Sequence, residues 1–201
     1  MTAIRAVVFL HGYDDDADSW AEVATALAPD GAVVHRPGGP IRTAHKAAWF
    51  ETADDGTPDA GQIAGSLVIV EDELRKVAAR HDLAPAEIAL VGFSQGAALA
   101  LLWALGRRSV AQDAIDAPIG AVVALAGWLP DVPGIDIDPA PHAARVLIGH
   151  GIDDEVVPFP LGRSVFRMLE RSGVDVHFVE HDVAHTPDPF AADVRAWLTT
   201  P

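Results

Sequence analysis

The sequence predicts an α/β fold: an open, mostly parallel sheet of about six or seven strands with helices on both faces. Short apolar or β-branched runs alternate along the chain with longer segments of helical periodicity, as in βαβ units. Half of the 201 residues are apolar, which suits one compact domain over residues 1–201. Two stretches rich in Pro, Gly and Asp, 37–64 and 129–144, follow expected strand ends.

The same patterns place the individual elements. Strands are expected at residues 6–10, 32–36, 88–92, 120–126, 145–149 and 174–180. Helices are expected at residues 19–28, 65–81, 95–105, 161–171 and 188–198. Ser19 and Asp188 are candidate N-caps, whereas Gly106 and Gly173 stand where helices commonly end. Because neither irregular stretch is long enough for a separate cap domain, we expect an open site at the carboxyl edge of the sheet.

Charge and composition exclude several classes of protein. The chain carries 29 acidic and 14 basic residues, a net charge of −15, and no basic cluster beyond Arg107 and Arg108, so nucleic acid is not an expected partner. It contains no cysteine, which excludes disulfides and thiolate chemistry. No segment has the features of a signal peptide or the roughly 20 apolar residues of a membrane span. We therefore expect a cytoplasmic protein.

The segment Gly-Phe-Ser-Gln-Gly at residues 92–96 lies between an expected strand and an apolar expected helix. It fits Gly-x-Ser-x-Gly, the nucleophile elbow of the α/β-hydrolase fold. The serine of such an elbow sits on a tight, strained turn, and side chains two positions away on either side would collide. Ser94 is therefore the candidate nucleophile. The alternative is a glycine-flanked turn with an incidental serine.

A serine hydroxyl needs a base, and the base needs a carboxylate that orients it. In α/β-hydrolases the acid and then the histidine follow the serine along the chain. Asp154 is the candidate acid, with Asp153 as second choice, because both follow the fifth expected strand. His185 is the candidate base and His181 its rival, because both follow the last expected strand. A metal pair of these histidines is disfavoured, since a nearby proline interrupts the helix that their spacing would need.

The oxyanion hole of this fold uses an N–H from the residue after the nucleophile and one from the loop after the first main strand. Here these are Gln95 and the loop at residues 11–13. Four aspartates follow that loop without the spacing of a calcium loop, so a solvated loop is the simpler interpretation and no metal is expected. They are Asp14, Asp15, Asp16 and Asp18.

At these motifs the sequence resembles the phospholipase/carboxylesterase family of α/β-hydrolases, which includes bacterial carboxylesterases, lysophospholipases and acyl-protein thioesterases. The resemblance runs nearly end to end. It implies that Asp154 and His185 are catalytic and that Tyr13 and Gln95 supply the oxyanion N–H groups. The matching segments are Leu-His-Gly at 10–12, Trp-Phe at 49–50, the elbow at 92–96, Gly-Trp-Leu-Pro at 127–130, and His-Gly-x-x-Asp-x-x-Val-Pro at 150–158.

The sequence also departs from the family pattern. Tyr13 and the aspartates after it stand where a glycine is common, and Glu51 replaces the usual aspartate after Trp-Phe. Ala97 and Ala184 stand at two further positions where glycine is frequent. These changes leave the triad intact but affect the shape of the loops, and therefore the substrate preference.

The resemblance implies a serine hydrolase that cleaves carboxylic esters through an acyl-enzyme, with no metal or cofactor. A small-molecule ester or thioester is the expected partner, and a homodimer is an option because the family forms dimers in places. The alternatives are thioester hydrolysis, another acyl transfer on the same triad, and non-catalytic ligand binding. Five side chains are candidates for an acyl groove, with plain core packing as the alternative for each: Trp49, Phe50, Trp128, Leu129 and Phe159.

Overall fold

The structure, a computed structural model, describes residues 2–106, 117–138 and 143–200; the basic pair Arg107 and Arg108 lies outside these ranges. The strands within them are β1 (Ala6–Leu10), β2 (Val33–His35), β3 (Ile41–Arg42), β4 (Ala47–Ala48), β5 (Ile88–Phe93), β6 (Ala121–Leu125), β7 (Val146–Gly151) and β8 (Val176–His181). The α-helices are α1 (Ala21–Leu27), α2 (Ala60–His81), α3 (Gln95–Leu105), α4 (Phe159–Arg171) and α5 (Ala191–Thr199). Short 3-10 helices, Pro85–Glu87 and Asp188–Phe190, precede β5 and α5.

Six of these strands form one parallel sheet in the order β2-β1-β5-β6-β7-β8. Leu10 pairs with Gly92, and Phe93 pairs with Leu125, so the carboxyl ends of β1, β5 and β6 meet at one edge. Strands β3 and β4 form a small antiparallel hairpin outside this sheet. The predicted α/β-hydrolase fold with a mostly parallel sheet is confirmed.

Helices cover both faces because the strands are apolar on both sides. Along β1, Ala6, Val8 and Leu10 belong to a buried cluster with α2, α3 and α4. Val7 and Phe9 belong to a second cluster with α1 and α5. Burying one such Val or Phe side chain stabilises the fold by about 1.5–3 kcal/mol. Helix α3 is buried along its whole length, so the helix that begins after the predicted nucleophile is fixed within the core.

Of the four residues predicted to end helices, the predictions for the two N-caps are wrong. Ser19 does not cap α1, whose N-cap is Trp20 without a side-chain bond. Asp188 lies inside the 3-10 helix before α5 and does not cap it. Gly106 is the C-cap of α3, and Gly173 follows α4 with a φ of 75°, a left-handed conformation that favours glycine.

The two stretches predicted to be irregular differ from each other. The first contains the hairpin β3–β4 and the first turn of α2, which begins at Ala60 because Asp59 accepts a 2.9 Å hydrogen bond from the Gln62 N–H. The described part of the second, 129–138 and 143–144, contains neither helix nor strand.

The described residues form no separate cap domain. None of the described helices combines the length and apolar character needed to cross a membrane.

Candidate active site

Ser94 occupies a sharp turn between β5 and α3. Its backbone has φ 54° and ψ −117°, a strained conformation for a residue with a side chain. A Cβ on Gly92 would lie 2.3 Å from the Gly96 carbonyl oxygen, and one on Gly96 would lie 2.2 Å from the Leu10 carbonyl oxygen, so only glycine fits at both positions. The Ser94 N–H donates a 2.9 Å hydrogen bond to Leu125. The turn holds the serine at the carboxyl edge of the sheet.

Asp154 and His185 are hydrogen-bonded to each other beside this turn. Nδ1 of His185 lies 2.7 Å from Oδ2 of Asp154, and the N–H groups of Val156 and Val157 each donate a 2.9 Å hydrogen bond to Oδ1. The imidazole packs against the ring of Phe93, the residue before the serine, with 4.7 Å between centroids. Because a carboxylate only accepts hydrogen bonds, Nδ1 carries a proton and Nε2 can act as the base.

The alternative acid and base face elsewhere. Asp153 is exposed, whereas the side chain of Asp154 is completely buried. Nε2 of His181 is bonded at 2.8 Å to Asp193 of α5. The structure therefore brings Asp154 and His185 together, and it places Asp153 and His181 outside that pair.

A further histidine, His150, is buried at the start of the acid loop, the segment at residues 150–158 that carries Asp154. Its side chain has no exposed surface, and its Nε2 donates a 2.8 Å hydrogen bond to the Val157 carbonyl. The same nitrogen lies 3.5 Å from Oδ2 of Asp154. Burial lowers the pKa of His150, which favours the neutral ring that is bonded to the loop. In the sequence this residue stands out only as part of a motif, although a histidine inside an apolar strand is itself a signal of a buried polar contact.

His11 fixes the loop that follows β1. Its Nε2 accepts a 3.0 Å hydrogen bond from the Gly39 N–H, and its Nδ1 donates a 2.7 Å hydrogen bond to the Gly12 carbonyl. Burial lowers the pKa of His11, in agreement with a neutral ring that accepts at one nitrogen. A Cβ on Gly12 would lie 3.5 Å from Cβ of Ser94. The loop therefore brings the backbone before Tyr13, a predicted oxyanion residue, against the serine.

Gln95, the other predicted oxyanion residue, has a fixed side chain. Its Oε1 accepts a 2.8 Å hydrogen bond from the Trp49 N–H, and its Nε2 donates a 2.7 Å hydrogen bond to the Phe50 carbonyl. The Trp49 indole donates a 2.9 Å hydrogen bond to the His11 carbonyl. Trp49 and Phe50 are completely buried, so the expectation that they line a groove is corrected. They are core residues that orient the start of α3, where the first backbone N–H groups lack helical partners.

The other three candidates for an acyl groove are partly exposed. Trp128 and Leu129 follow β6 and are half-buried against the core cluster of α2, α3 and α4. Phe159 is the half-buried first residue of α4, and its ring lies 5.9 Å from the ring of His150. These three side chains are partly exposed to solvent, and their contact with an acyl chain stays a prediction.

The first two aspartates after the predicted oxyanion loop (residues 11–13) tie it to the hairpin β3–β4. Asp14 has a left-handed φ of 55°, and its carboxylate accepts hydrogen bonds from the Thr43 hydroxyl and, at 3.2 Å, from the Lys46 N–H. Asp15 exchanges backbone hydrogen bonds of 3.0 and 3.1 Å with Ala47, and it accepts a 2.8 Å hydrogen bond from Lys46 Nζ. Asp14 and Asp15, which depart from the family pattern, therefore attach the loop after β1 to the hairpin.

Asp16 closes a turn through hydrogen bonds with Ser19. Its carboxylate accepts hydrogen bonds from the Ser19 N–H at 2.8 Å and from the Ser19 hydroxyl at 2.9 Å. These bonds lower the pKa of Asp16 to about 2. Among the residues that the structure describes, no three His, Cys, Asp or Glu side chains are grouped to hold a metal ion.

A pocket of about 700 Å³ opens beside Tyr13, in the predicted oxyanion loop. It is lined by Tyr13 and by residues of the loop at 51–59, among them the acidic residues Glu51 and Asp59. In the sequence, Glu51 stands out only as a departure from the family pattern. The pocket has no sequence signal, because it depends on the closure of the 51–59 loop, in which the Asp59 N–H donates a 2.9 Å hydrogen bond to the Glu51 carbonyl.

The sequence matches the model of the phospholipase/carboxylesterase family over residues 2–195. The chain belongs to this family. It is 28% identical over 192 residues to acyl-protein thioesterase 1 from Debaryomyces hansenii, covering 85% of this chain and 78% of that protein. The carboxylesterase from Mesorhizobium loti superposes with a TM-score of 0.78 at 24% identity, covering 98% of this chain and 89% of the other. Acyl-protein thioesterase 2 from Zea mays gives a TM-score of 0.72 at 25% identity, covering 99% and 94%.

Proposed function

We propose that the protein is a serine hydrolase that cleaves carboxylic esters, with Ser94 as nucleophile, His185 as base and Asp154 as the orienting acid. The observation that carries this proposal is the 2.7 Å bond between Asp154 and His185 beside the strained backbone of Ser94. Membership of the phospholipase/carboxylesterase family supports the same class of reaction.

The reaction is a two-step acyl transfer. Nε2 of His185 removes the proton from Ser94 Oγ as this oxygen attacks the substrate carbonyl, and the buried Asp154 carboxylate stabilises the imidazolium that forms. The N–H groups of Tyr13 and Gln95 donate hydrogen bonds to the oxyanion of the tetrahedral intermediate. His185 then protonates the departing alcohol. Water, activated by the same histidine, attacks the acyl-enzyme and releases the carboxylic acid.

Hydrolysis of p-nitrophenyl acetate and butyrate by wild type and Ser94→Ala tests this assignment. We expect kcat/KM to fall by about 10⁴-fold or more in Ser94→Ala, because the remaining groups cannot form the acyl-enzyme. Ser164→Ala is the matched control, since this exposed hydroxyl on α4 bonds only locally, at 2.8 Å, to the Leu161 carbonyl. Thermal unfolding of all three proteins checks that each is folded. Full activity in Ser94→Ala would contradict the assignment.

Thioester hydrolysis is the second candidate, because relatives in the comparisons bear the name acyl-protein thioesterase. The same triad serves both reactions, so the distinction depends on substrate binding. We would compare phenyl butyrate with S-phenyl thiobutyrate, each corrected for its hydroxide-catalysed rate. A tenfold preference for the thioester would change the assignment to a thioesterase. If the protein hydrolysed neither the ester nor the thioester, a ligand-binding function would be favoured. The cytoplasmic location and the homodimer stay predictions.

A further inference from the structure

We propose that the pocket between Tyr13 and the loop at residues 51–59 binds an ammonium group of the substrate, so that the enzyme prefers esters that carry one. The proposal rests on the esterase function above and names the substrate class for the same site. A cationic group on either the alcohol or the acyl part of the ester has the required chemistry.

The pocket adjoins the site of reaction through one residue. The backbone N–H of Tyr13 is a proposed oxyanion donor, and Tyr13 is also one of the residues that line the pocket. A substrate whose carbonyl oxygen faces that N–H therefore reaches the pocket within a few bonds. The volume of about 700 Å³ lies within the range of roughly 300–1,000 Å³ typical of small-molecule sites. The pocket is large enough for a trimethylammonium group and its linker.

The lining of the pocket is acidic. Glu51 and Asp59 are its charged members, and no basic residue lines it in the described part of the chain. Oε2 of Glu51 lies 3.4 Å from the neutral side-chain amide of Gln62, a contact that leaves its charge in place. Asp54 and Asp55 lie exposed on the same loop. An anionic ligand would be repelled here, and a cation would be attracted.

The lysine beside the oxyanion loop does not reverse this charge. Nζ of Lys46 lies 2.8 Å from Asp15 and 3.4 Å from Asp16, so its positive charge is balanced locally by two carboxylates. The net charge of the whole chain, −15, adds a background potential of the same sign as the pocket. A cleft with one sign of charge raises the local concentration of oppositely charged ligands.

An exposed aromatic ring distinguishes this pocket from an ordinary acidic surface. Tyr13 is the only tyrosine of the chain, and 57% of its surface is exposed. An aromatic face next to carboxylates is a common arrangement for binding ammonium groups, because the ring quadrupole attracts the cation while the methyl groups pack against the ring. A neutral isostere of the same shape would gain the packing but not the electrostatic attraction.

Two pairs of esters test the proposal, each differing only by carbon in place of the charged nitrogen. For the alcohol side, butyrylcholine is compared with 3,3-dimethylbutyl butyrate. For the acyl side, the p-nitrophenyl ester of 4-(trimethylammonio)butanoic acid is compared with that of 5,5-dimethylhexanoic acid. After correction for hydroxide-catalysed rates, we expect kcat/KM to be about tenfold higher for the cationic member of at least one pair at low salt. The preference should decrease as ionic strength rises.

Variants locate the source of the preference. Glu51→Gln removes one charge and should lower the cationic-to-neutral ratio of kcat/KM about threefold, and Tyr13→Leu should also lower it while keeping the backbone N–H. Glu170→Gln is the matched control, because it removes the same charge near the end of α4 that lies away from the acid loop. A wild-type ratio of one or less for both pairs would overturn the proposal. An equal effect of Glu51→Gln and Glu170→Gln would also overturn it.

A binding measurement separates failure of this proposal from failure of the esterase assignment. Because Tyr13 is the only tyrosine, its ring signals in the NMR spectrum can be assigned without ambiguity. We expect tetramethylammonium to shift these signals in Ser94→Ala, a protein that does not turn over substrate. Unshifted signals would contradict the ammonium site even if Ser94 is catalytic. Shifted signals without Ser94-dependent turnover would retain the site and reject the esterase.

Discussion

The serine turn and the oxyanion loop face each other across the candidate site, but they are held by different contacts. The turn depends on close backbone packing, in which an added Cβ at Gly92 or Gly96 would lie within 2.3 Å of a carbonyl oxygen. The oxyanion loop (residues 11–13) is held by side-chain hydrogen bonds instead. Buried His11 bonds to Gly39, and nearer the surface Asp14 bonds to Thr43 and Asp15 bonds to Lys46. The first arrangement leaves no room for variation, whereas the second can be rebuilt from other hydrogen-bonding residues.

This difference corresponds to where the sequence follows the family pattern and where it departs from it. The Gly-Phe-Ser-Gln-Gly turn and the acid loop at residues 150–158 match the pattern, and both orient groups proposed for the chemistry. Of the departures, Tyr13 and Glu51 line the pocket proposed for the ammonium group, whereas Ala97 and Ala184 lie next to the serine turn and next to His185. We infer that one side of the site determines the reaction and the other determines the substrate.

Among changes to the supports of the turn and the loop, the largest expected effect comes from breaking the close packing of the turn. Gly96→Ala should destabilise the protein by about 3 kcal/mol, because the new Cβ would lie 2.2 Å from the Leu10 carbonyl oxygen. It should lower kcat/KM by about 100-fold through displacement of the serine. Gly65→Ala is the control, since a Cβ there meets nothing within 4 Å, and Ala in a helix should stabilise by about 0.5–1 kcal/mol. Urea unfolding measures the change in stability, and hydrolysis of p-nitrophenyl butyrate measures the change in kcat/KM. Equal free energies of unfolding for Gly96→Ala and Gly65→Ala would contradict the account of the turn.

A smaller effect is expected from loosening the oxyanion loop. Asp14→Ala loses the bonds to Thr43 and Lys46 and places alanine in a left-handed conformation, so kcat should fall about tenfold as the Tyr13 N–H loses its position. Asp14→Asn should retain most activity, because asparagine tolerates this conformation and can still accept the same hydrogen bonds. The two variants are compared by kcat and by thermal midpoint. If Asp14→Ala and Asp14→Asn behave alike, the hydrogen bonds of Asp14 do not position the loop.

The sequence predicted the elements around Ser94 better than the elements around the pocket beside Tyr13. Strand β5 and helix α3 are continuous apolar segments around a strained serine turn, so burial and glycine spacing both indicate them. The hairpin β3–β4 has two residues in each strand, too few to show a periodicity. The start of α2 was expected five residues late because the stretch rich in Pro, Gly and Asp was expected to be irregular as far as residue 64, whereas Asp59 supplies the cap.

The aromatic candidates show a second limit of sequence reasoning. Trp49 and Phe50 have the composition of a groove lining, but their backbone groups bond to Gln95 and their side chains are buried. Composition alone does not distinguish an aromatic residue that anchors a neighbouring loop from one that contacts a ligand. The pocket beside Tyr13 was not expected either, because it is formed by residues 51–59, which carry no motif.

The smallest expected effect concerns pH and the turn closed by Asp16. Its pKa is lowered to about 2 in the folded protein, against an ordinary value of 3.8, so its stabilising contribution is present above about pH 4 and is lost as the pH falls toward about 2. The difference in urea midpoint between wild type and Asp16→Asn should therefore shrink between about pH 5 and about pH 2.5. A difference that is independent of pH would show that the Ser19 bonds do not act on the ionised carboxylate.

Covalent labelling tests the central claim most directly. The folded wild-type protein is treated with a fluorophosphonate, which reacts with serines activated by a base and an oxyanion hole, and the labelled peptide is identified by mass spectrometry. Ser94→Ala and His185→Ala serve as the comparison. The account predicts one label per chain, on Ser94, that is absent from Ser94→Ala and slowed by orders of magnitude in His185→Ala. An unlabelled protein, or a label that persists in Ser94→Ala, would contradict it.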